Sequence, residues 1–197
     1  MKKIILIGSG GHAKACIDVI ESMGIFRILG LIDNNFKIGT KVLGYSIIGS
    51  DKDLPILAKK YRHLNCHIAI GSIKNQKIRQ NLFIKTKKLG LIFPPLISNE
   101  SYVSKYSKID EGSIIMHHAL VNSNAFIGKN CIINTKSLIE HDCKIGDHSQ
   151  ISTGTIVNSK VNVGKRCFIG SNSVIKQILK IKNDTFIKMG SIISKNI

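Results

Sequence analysis

Two stretches of this 197-residue chain carry residue types that could do chemistry. In Ile139-Glu140-His141-Asp142-Cys143 an imidazole stands between two carboxylates. A histidine can take a proton from a hydroxyl or an amine near neutral pH, and an adjacent carboxylate can hold its tautomer and stabilise the imidazolium. The second stretch is Gly8-Ser9-Gly10-Gly11-His12-Ala13-Lys14, directly after the apolar run Ile4–Ile7. Gly8, Gly10 and Ala13 fit the G-x-G-x-x-G/A pattern, in which glycines let the backbone approach a phosphate and the first turn of a helix offers it free N–H groups. A tight turn that only packs helix on strand is the competing reading. Further on, a strand-like run Ile28–Ile32 ends in Asp33-Asn34, where an acid can accept hydrogen bonds from a ribose or sugar hydroxyl.

The elements that must position these residues are of two kinds. From Ile97 onward every sixth residue is Ile or Val, without exception, to Ile193. Four residues beyond each stands a second column of mostly small residues, among them Ser113, Ala119, Cys131, Ser149, Thr155 and Ser173. Helices repeat at three and four and strands at two, so a period of six marks a parallel β-helix whose interior takes one branched and one small residue per repeat. Glycine follows the branched residue at 128, 146, 164 and 170, which suggests a turn there. His141 lies two residues after inward Ile139 and is therefore expected at an outward corner. Residues 1–96 lack this register and read as an α/β domain with a parallel sheet. Its further strands are expected at Lys41–Ile48, Cys66–Ile70 and Leu91–Phe93, with helices at Asp53–Tyr61 and Asn75–Leu89. The stiff Phe93-Pro94-Pro95 marks the end of that domain, and 97–197 forms the second.

The net charge of +17 favours anionic partners such as phosphorylated cofactors or carboxylated sugars. No basic run interleaved with aromatics occurs and Trp is absent, which argues against nucleic acid. The five Cys have no CxxC spacing, and three sit in the small-residue column, as buried fillers in a reducing cytoplasm would. The apolar run after Lys2-Lys3 stops at Gly8, too soon for a secretory leader, and nothing reaches the length of a membrane span.

Units such as Ile127-Gly128-Lys129-Asn130-Cys131-Ile132 and Val163-Gly164-Lys165-Arg166-Cys167-Phe168 resemble the left-handed β-helix of hexapeptide-repeat acyltransferases. Joined to Ile7-Gly-Ser-Gly-Gly-His12-Ala-Lys14, they resemble bacterial sugar acetyltransferases that couple a small Rossmann-like domain to such a β-helix. The resemblance implies three hexapeptides per triangular coil, acetyl-CoA as co-substrate, and a homotrimer with active sites between adjacent prisms. It implies that the N-terminal domain holds the sugar, through Gly8, Gly10, Gly11, His12, Asp33 and Asn34. It implies His141 as general base, with Glu140 or Asp142 as its carboxylate partner, and Asn134 near the acceptor. Gln150 stands where the branch acting on UDP-linked 4-amino sugars carries a second His. That departure favours O-acetylation of sialic acid or a related nonulosonic sugar, with N-acetylation of a UDP-linked 4-amino sugar as the alternative. A non-catalytic β-helix scaffold is the reading from another class. His117, His118 and His148 form no convincing three-His spacing, so no metal is expected. The family's Val-Pro-Ala-Lys-like segment near coenzyme A has no counterpart by Ser194-Lys-Asn-Ile197, so coenzyme A is expected to be held more weakly or in a different arrangement.

Overall fold

The computed structural model describes residues 1–71 and 76–197. The chain divides into two compact units, one built on Met1–Gly71 and Ile78–Pro94 and the other on Pro95–Ile197. No helix among the described residues is long and apolar enough to cross a membrane.

The first unit is ordered β1 (Lys2–Ile7), α1 (Gly11–Met23), β2 (Phe26–Ile32), β3 (Lys41–Val42), β4 (Tyr45–Gly49), α2 (Leu54–Lys60), β5 (Asn65–Ile68) and α3 (Gln76–Lys88). Its sheet runs β3-β4-β2-β1-β5, and every pairing is parallel except β3 with β4. The continuous apolar run of β1 follows from burial on both faces. Ile5 and Ile7 pack with Cys66, Ile68, Phe83 and Phe93 on one side. Ile4 and Leu6, also fully buried, point to the other. Helix α1 turns Ala13, Cys16, Ile17 and Ile20 inward and ends at Gly24, whose φ of 66° is the left-handed cap that glycine accepts without strain.

Two expectations for this unit need correction. Lys41–Ile48 is not one strand: Leu43 and Gly44, at φ 46° and 86°, turn the chain between β3 and β4. A residue followed by Gly between two β-prone runs is a hairpin signal that outweighs strand propensity. Leu91–Phe93 forms no strand, only a bridge from Ile92 to Asn65. The helix expected at Asn75–Leu89 is α3, and Asn75 itself lies outside the described residues.

The second unit is a left-handed β-helix of two-residue strands, from β6 (Leu96–Ile97) to β22 (Ile192–Ile193). Each pairs in parallel with the third strand on, 18 residues later, so three hexapeptides complete one coil and the strands stack into three sheets. Register is kept throughout: Val121 pairs with Ile139, Ile139 with Val157 and Val157 with Ile175. Both columns of the repeat meet in one core, where Ile139, Ile145 and Ile151 pack with Ala125, Cys131 and Cys143. Full burial of such a branched side chain contributes roughly 1.5–3 kcal/mol.

The small column does more than leave room. Ser113, Ser149 and Thr155 donate their hydroxyls to the carbonyls of Gly128, Gly164 and Gly170, 15 residues on, at 2.6, 2.9 and 3.0 Å. Cys131 and Cys167 make the same weaker bond to Gly146 and Lys182, at 3.2 and 3.0 Å. The glycines after the branched residue serve close approach, not a turn. A Cβ on Gly146 would lie 2.6 Å from the carbonyl carbon of Gly164 in the next coil. The turns lie two residues further, where the backbone takes φ near +60° at His118, Asn124, Asp142 and Arg166. Asn and Asp tolerate that region better than other residues with a Cβ.

Ile139→Asp should unfold the β-helix, because its carboxylate would enter a wholly apolar column with no partner. Lys129→Ala removes only a half-exposed pair to Glu111, at 3.0 Å, and should change stability by no more than about 1 kcal/mol. Thermal melting of the two variants checks this, and equal melting temperatures would contradict the register.

Candidate functional site

The corner that carries the imidazole follows the strand Leu138–Ile139. Inward Ile139 anchors the segment, and Asp142 adopts φ 62°, turning the chain toward Cys143, which dives back into the core. Cys143 donates its thiol to Asn158 O at 3.0 Å, and burial pushes that thiol up to about 11, so it is an inert filler.

His141 is 46% exposed, and its Nδ1 lies 2.7 Å from Asp142 Oδ2. The other carboxylate oxygen of Asp142 accepts from Asn124 Nδ2 at 2.6 Å, one coil below. The bond from His141, followed by that from Asn124, holds the Asp142 carboxyl below the usual carboxylate range. It therefore stays ionised at neutral pH, pins the proton on Nδ1, and leaves Nε2 as the nitrogen with a lone pair for a substrate proton. Glu140 does something else. Its Oε2 accepts from Asn122 Nδ2 at 2.9 Å and from the backbone N–H of His141 at 3.3 Å. Of the two carboxylates flanking His141, Asp142 thus pairs with the ring, while Glu140 braces the corner.

Asn134 sits one corner upstream, after the strand Ile132–Ile133, and its Oδ1 accepts the Thr135 N–H at 2.9 Å. His148, at a corner with φ 61°, is buried, with Nδ1 3.0 Å from Asn130 Nδ2. His117 Nδ1 lies 2.6 Å from Ser98 Oγ, and exposed His118 lies 3.4 Å from Glu100. Gln150 is also buried, with its Oε1 unpaired.

In the first unit the glycines separate into two roles. Gly8, at φ 107°, ends β1 against the segment after β5, and a Cβ there would lie 2.6 Å from Ile70. Gly10 and Gly11 are exposed, and a Cβ on either would meet nothing within 4 Å. Packing does not require glycine at either position, and the backbone at the start of α1 is open there. The order in which successive strands are added reverses between β1 and β5, which run parallel, and open α/β sheets bind ligands at the carboxyl ends of the strands at such a point. There Gly8, Asp33, Asn34, Asn35 and Asp51 line a cavity of about 90 Å³. Asp33 accepts from Ser9 Oγ at 2.6 Å and from the Asn35 N–H at 2.9 Å, and Asn34 Oδ1 accepts the Asp51 N–H at 3.0 Å. Two acids in one small cavity suit hydroxyl donors. A larger cavity, about 680 Å³, opens at the other edge of β1 beside Lys3, Lys60 and Tyr61, and no predicted site residue lines it.

His12 departs from its expected role on the ligand side. Its ring turns back along α1, with Nε2 3.4 Å from Cys16 Sγ. Burial, then the charge of Arg79, lowers its pKa to about 3, and burial pushes the Cys16 thiol up to about 12.

Residues 3–86 match the family model described as the PglD N-terminal domain. Residues 124–159 and 142–177 match the bacterial transferase hexapeptide model, and 160–195 match the hexapeptide repeat of succinyl-transferase. GDP-perosamine N-acetyltransferase of Escherichia coli is 28% identical over 76% of this chain and 66% of its own length. UDP-N-acetylbacillosamine N-acetyltransferase of Bacillus subtilis is 32% identical over 59% of this chain and 52% of its own. The chain thus spans about two thirds of the first relative's length and half of the second's. A crystal structure of Caulobacter crescentus perosamine N-acetyltransferase, with one histidine replaced by asparagine and in complex with CoA and GDP-perosamine, is 26% identical. It superposes with a TM-score of 0.92 over 100% of this chain and 90% of that one. The chain has the domain composition and fold of the hexapeptide-repeat sugar acetyltransferases.

The pairing at the corner can be read directly by ¹⁵N NMR of the imidazole. The wild-type His141 ring should show the tautomer protonated at Nδ1. Asp142→Asn should shift the balance toward Nε2–H, because the ionised acceptor is lost, while Glu140→Gln should leave it as it was. The opposite ranking would show that Glu140 orients the ring.

Proposed function

We propose that this protein transfers the acetyl group of acetyl-CoA to the amine of a nucleotide-linked amino sugar. The observation that carries the reading is the His141–Asp142 pair, 2.7 Å apart at an outward corner of the β-helix. The O-acetylation of a sialic acid expected from Gln150 gives way here, because the relatives are named as N-acetyltransferases of GDP- and UDP-linked amino sugars. Gln150 is buried with Oε1 unpaired, so it is a weak marker of the acceptor.

In this reading the sugar amine attacks the thioester carbonyl, forming the C–N bond, and His141 Nε2 accepts the proton the nitrogen sheds. Collapse of the tetrahedral adduct breaks the C–S bond, and the imidazolium returns its proton to the departing thiolate. Asp142 balances the imidazolium charge between those two steps. The first unit would hold the nucleotide sugar through the open backbone at Gly10 and Gly11 and the hydroxyl acceptors Asp33 and Asn34.

The outward residues of one of the three sheets support assembly about a threefold axis. On the sheet that contains Leu138, the outward ladder is Tyr102, Leu120, Leu138, Ile156, Val174 and Ile192, apolar from end to end. The sheet that contains Lys144 is mainly polar, with Lys108, Asn162 and Lys180. An apolar face running past the His141 corner suits burial against a second copy, and a homotrimer would place three such faces on three corners.

Incubation with acetyl-CoA and a panel of UDP- and GDP-linked amino sugars and sialic acids, followed by mass spectrometry, should show acetylation of an amino sugar only. A sialic acid as sole acceptor would restore the O-acetylation reading. His141→Ala should lose roughly 100- to 10,000-fold in turnover at unchanged melting temperature and little-changed affinity for coenzyme A, whereas exposed His118→Ala should remain near normal. Light scattering at micromolar concentration should give the mass of three chains, and a monomer there would contradict the assembly.

A further inference from the structure

The strongest unassigned feature is a buried convergence of three ligating side chains in the first unit. His12 and Cys16 stand one turn apart on α1, and His67 projects from β5. The ligand atoms of the three all lie within 4.8 Å of one another. Among the described residues no other group of three His, Cys, Asp or Glu does this. His67 is fully buried, and neither of its ring nitrogens has a hydrogen-bond partner. A neutral imidazole carries one donor and one acceptor, and native interiors rarely leave both unmet. The ring instead has a thiol and a second imidazole within 4.8 Å as its nearest ligating neighbours. Its neighbour Cys66 packs in the cluster with Ile5 and Phe93.

With metal–nitrogen and metal–sulfur bonds of roughly 2.0 and 2.3 Å, two ligand atoms on one ion stand about 3.4–3.8 Å apart. The His12–Cys16 separation of 3.4 Å already meets this, and side-chain rotation of about an ångström closes the rest. Charge selects the ion. The buried guanidinium of Arg79 donates to the carbonyls of Ile68 and Ile70, each at 2.6 Å, which fixes a positive charge at the end of the strand that carries His67. A divalent ion with one thiolate would leave a net positive charge buried beside that cation, whereas a monovalent ion with one thiolate is neutral.

We propose that His12, Cys16 and His67 form a binding site for a soft monovalent d¹⁰ ion, copper(I), in three-coordinate N₂S geometry. Binding forms the Cu–S bond as the Cys16 thiol gives up its proton to solvent, and the oxidation state does not change. The site is independent of acetyl transfer.

The test is anaerobic titration of the full chain with copper(I) against a chromophoric copper(I) chelator. The chain should retain one equivalent, and X-ray absorption should show one sulfur and two nitrogens on the metal. Cys16→Ala and His67→Leu should each weaken retention at least tenfold, while Cys66→Ser should leave it unchanged. Wild-type spectroscopy decides the matter even if a variant fails to fold. Equal retention by Cys16→Ala, a sulfur-only coordination shell, or tighter retention of zinc(II) than of copper(I) would overturn the assignment.

Discussion

Everything in the second unit depends on the contact between each coil and the one 18 residues further on. Backbone bonds such as Glu140 N–H to Val157 O, at 3.0 Å, join the strands. Inside, hydroxyls and thiols of the small column reach carbonyls 15 residues ahead. Ser113 is used twice, since its oxygen also accepts the Cys131 N–H at 2.8 Å. A buried Ser without these bonds would cost stability, and with them it ties one corner to the next. The cross-section is therefore held constant while the outward corners remain free to vary. That freedom is what admits Glu140, His141 and Asp142 without disturbing Ile139.

The first unit reaches a ligand site by a different route. Its central strands β1 and β5 are buried on both faces, so side chains of β1 have no access to solvent except at the strand ends. Chemistry is displaced to the carboxyl edge, where β1 and β2 run out at Gly8 and Asp33. The hydrogen bond from Ser9 to Asp33 links those two loops, and the open backbone of Gly10 and Gly11 lies in the same turn. The motif glycines were legible as a group, but only the structure distinguishes Gly8, fixed by close approach to Ile70, from the two that packing leaves free.

Much of the β-helix was legible because its determinants are local and repeat: one branched residue, one small residue, period six. What escaped was whatever depends on a neighbour distant in sequence. The glycines after the branched column read as turns, but their reason is the backbone of the coil above. The burial of His148 depends on Asn130, one coil earlier, which pairs with it. Glu140 and Asp142 were equivalent on paper, and each accepts from an Asn one coil below, but only Asp142, at positive φ, reaches the His141 ring. The trio His12, Cys16 and His67 spans two elements and more than fifty residues, so a search for ligand spacings along the chain had no means of finding it. The apolar ladder through Leu120, Leu138 and Ile156 was visible in principle. It appears once every third hexapeptide is aligned.

The exposure of the His141 ring bears on how the site must be completed. An imidazole–carboxylate pair in contact with bulk water gains little from its charge, because solvent screens it and competes for Nε2. Acyl transfer also develops an oxyanion, which needs donors already fixed in a dry site. A single corner of one prism supplies neither, since His141 stands 46% exposed and the neighbouring backbone groups are spent on coil-to-coil bonds. A second surface laid against the apolar ladder would exclude water from the corner and bring its own donors. In the trimeric reading, the face that drives association and the histidine that needs shelter are therefore adjacent for one reason: both lie on the hexapeptide that begins at Leu138.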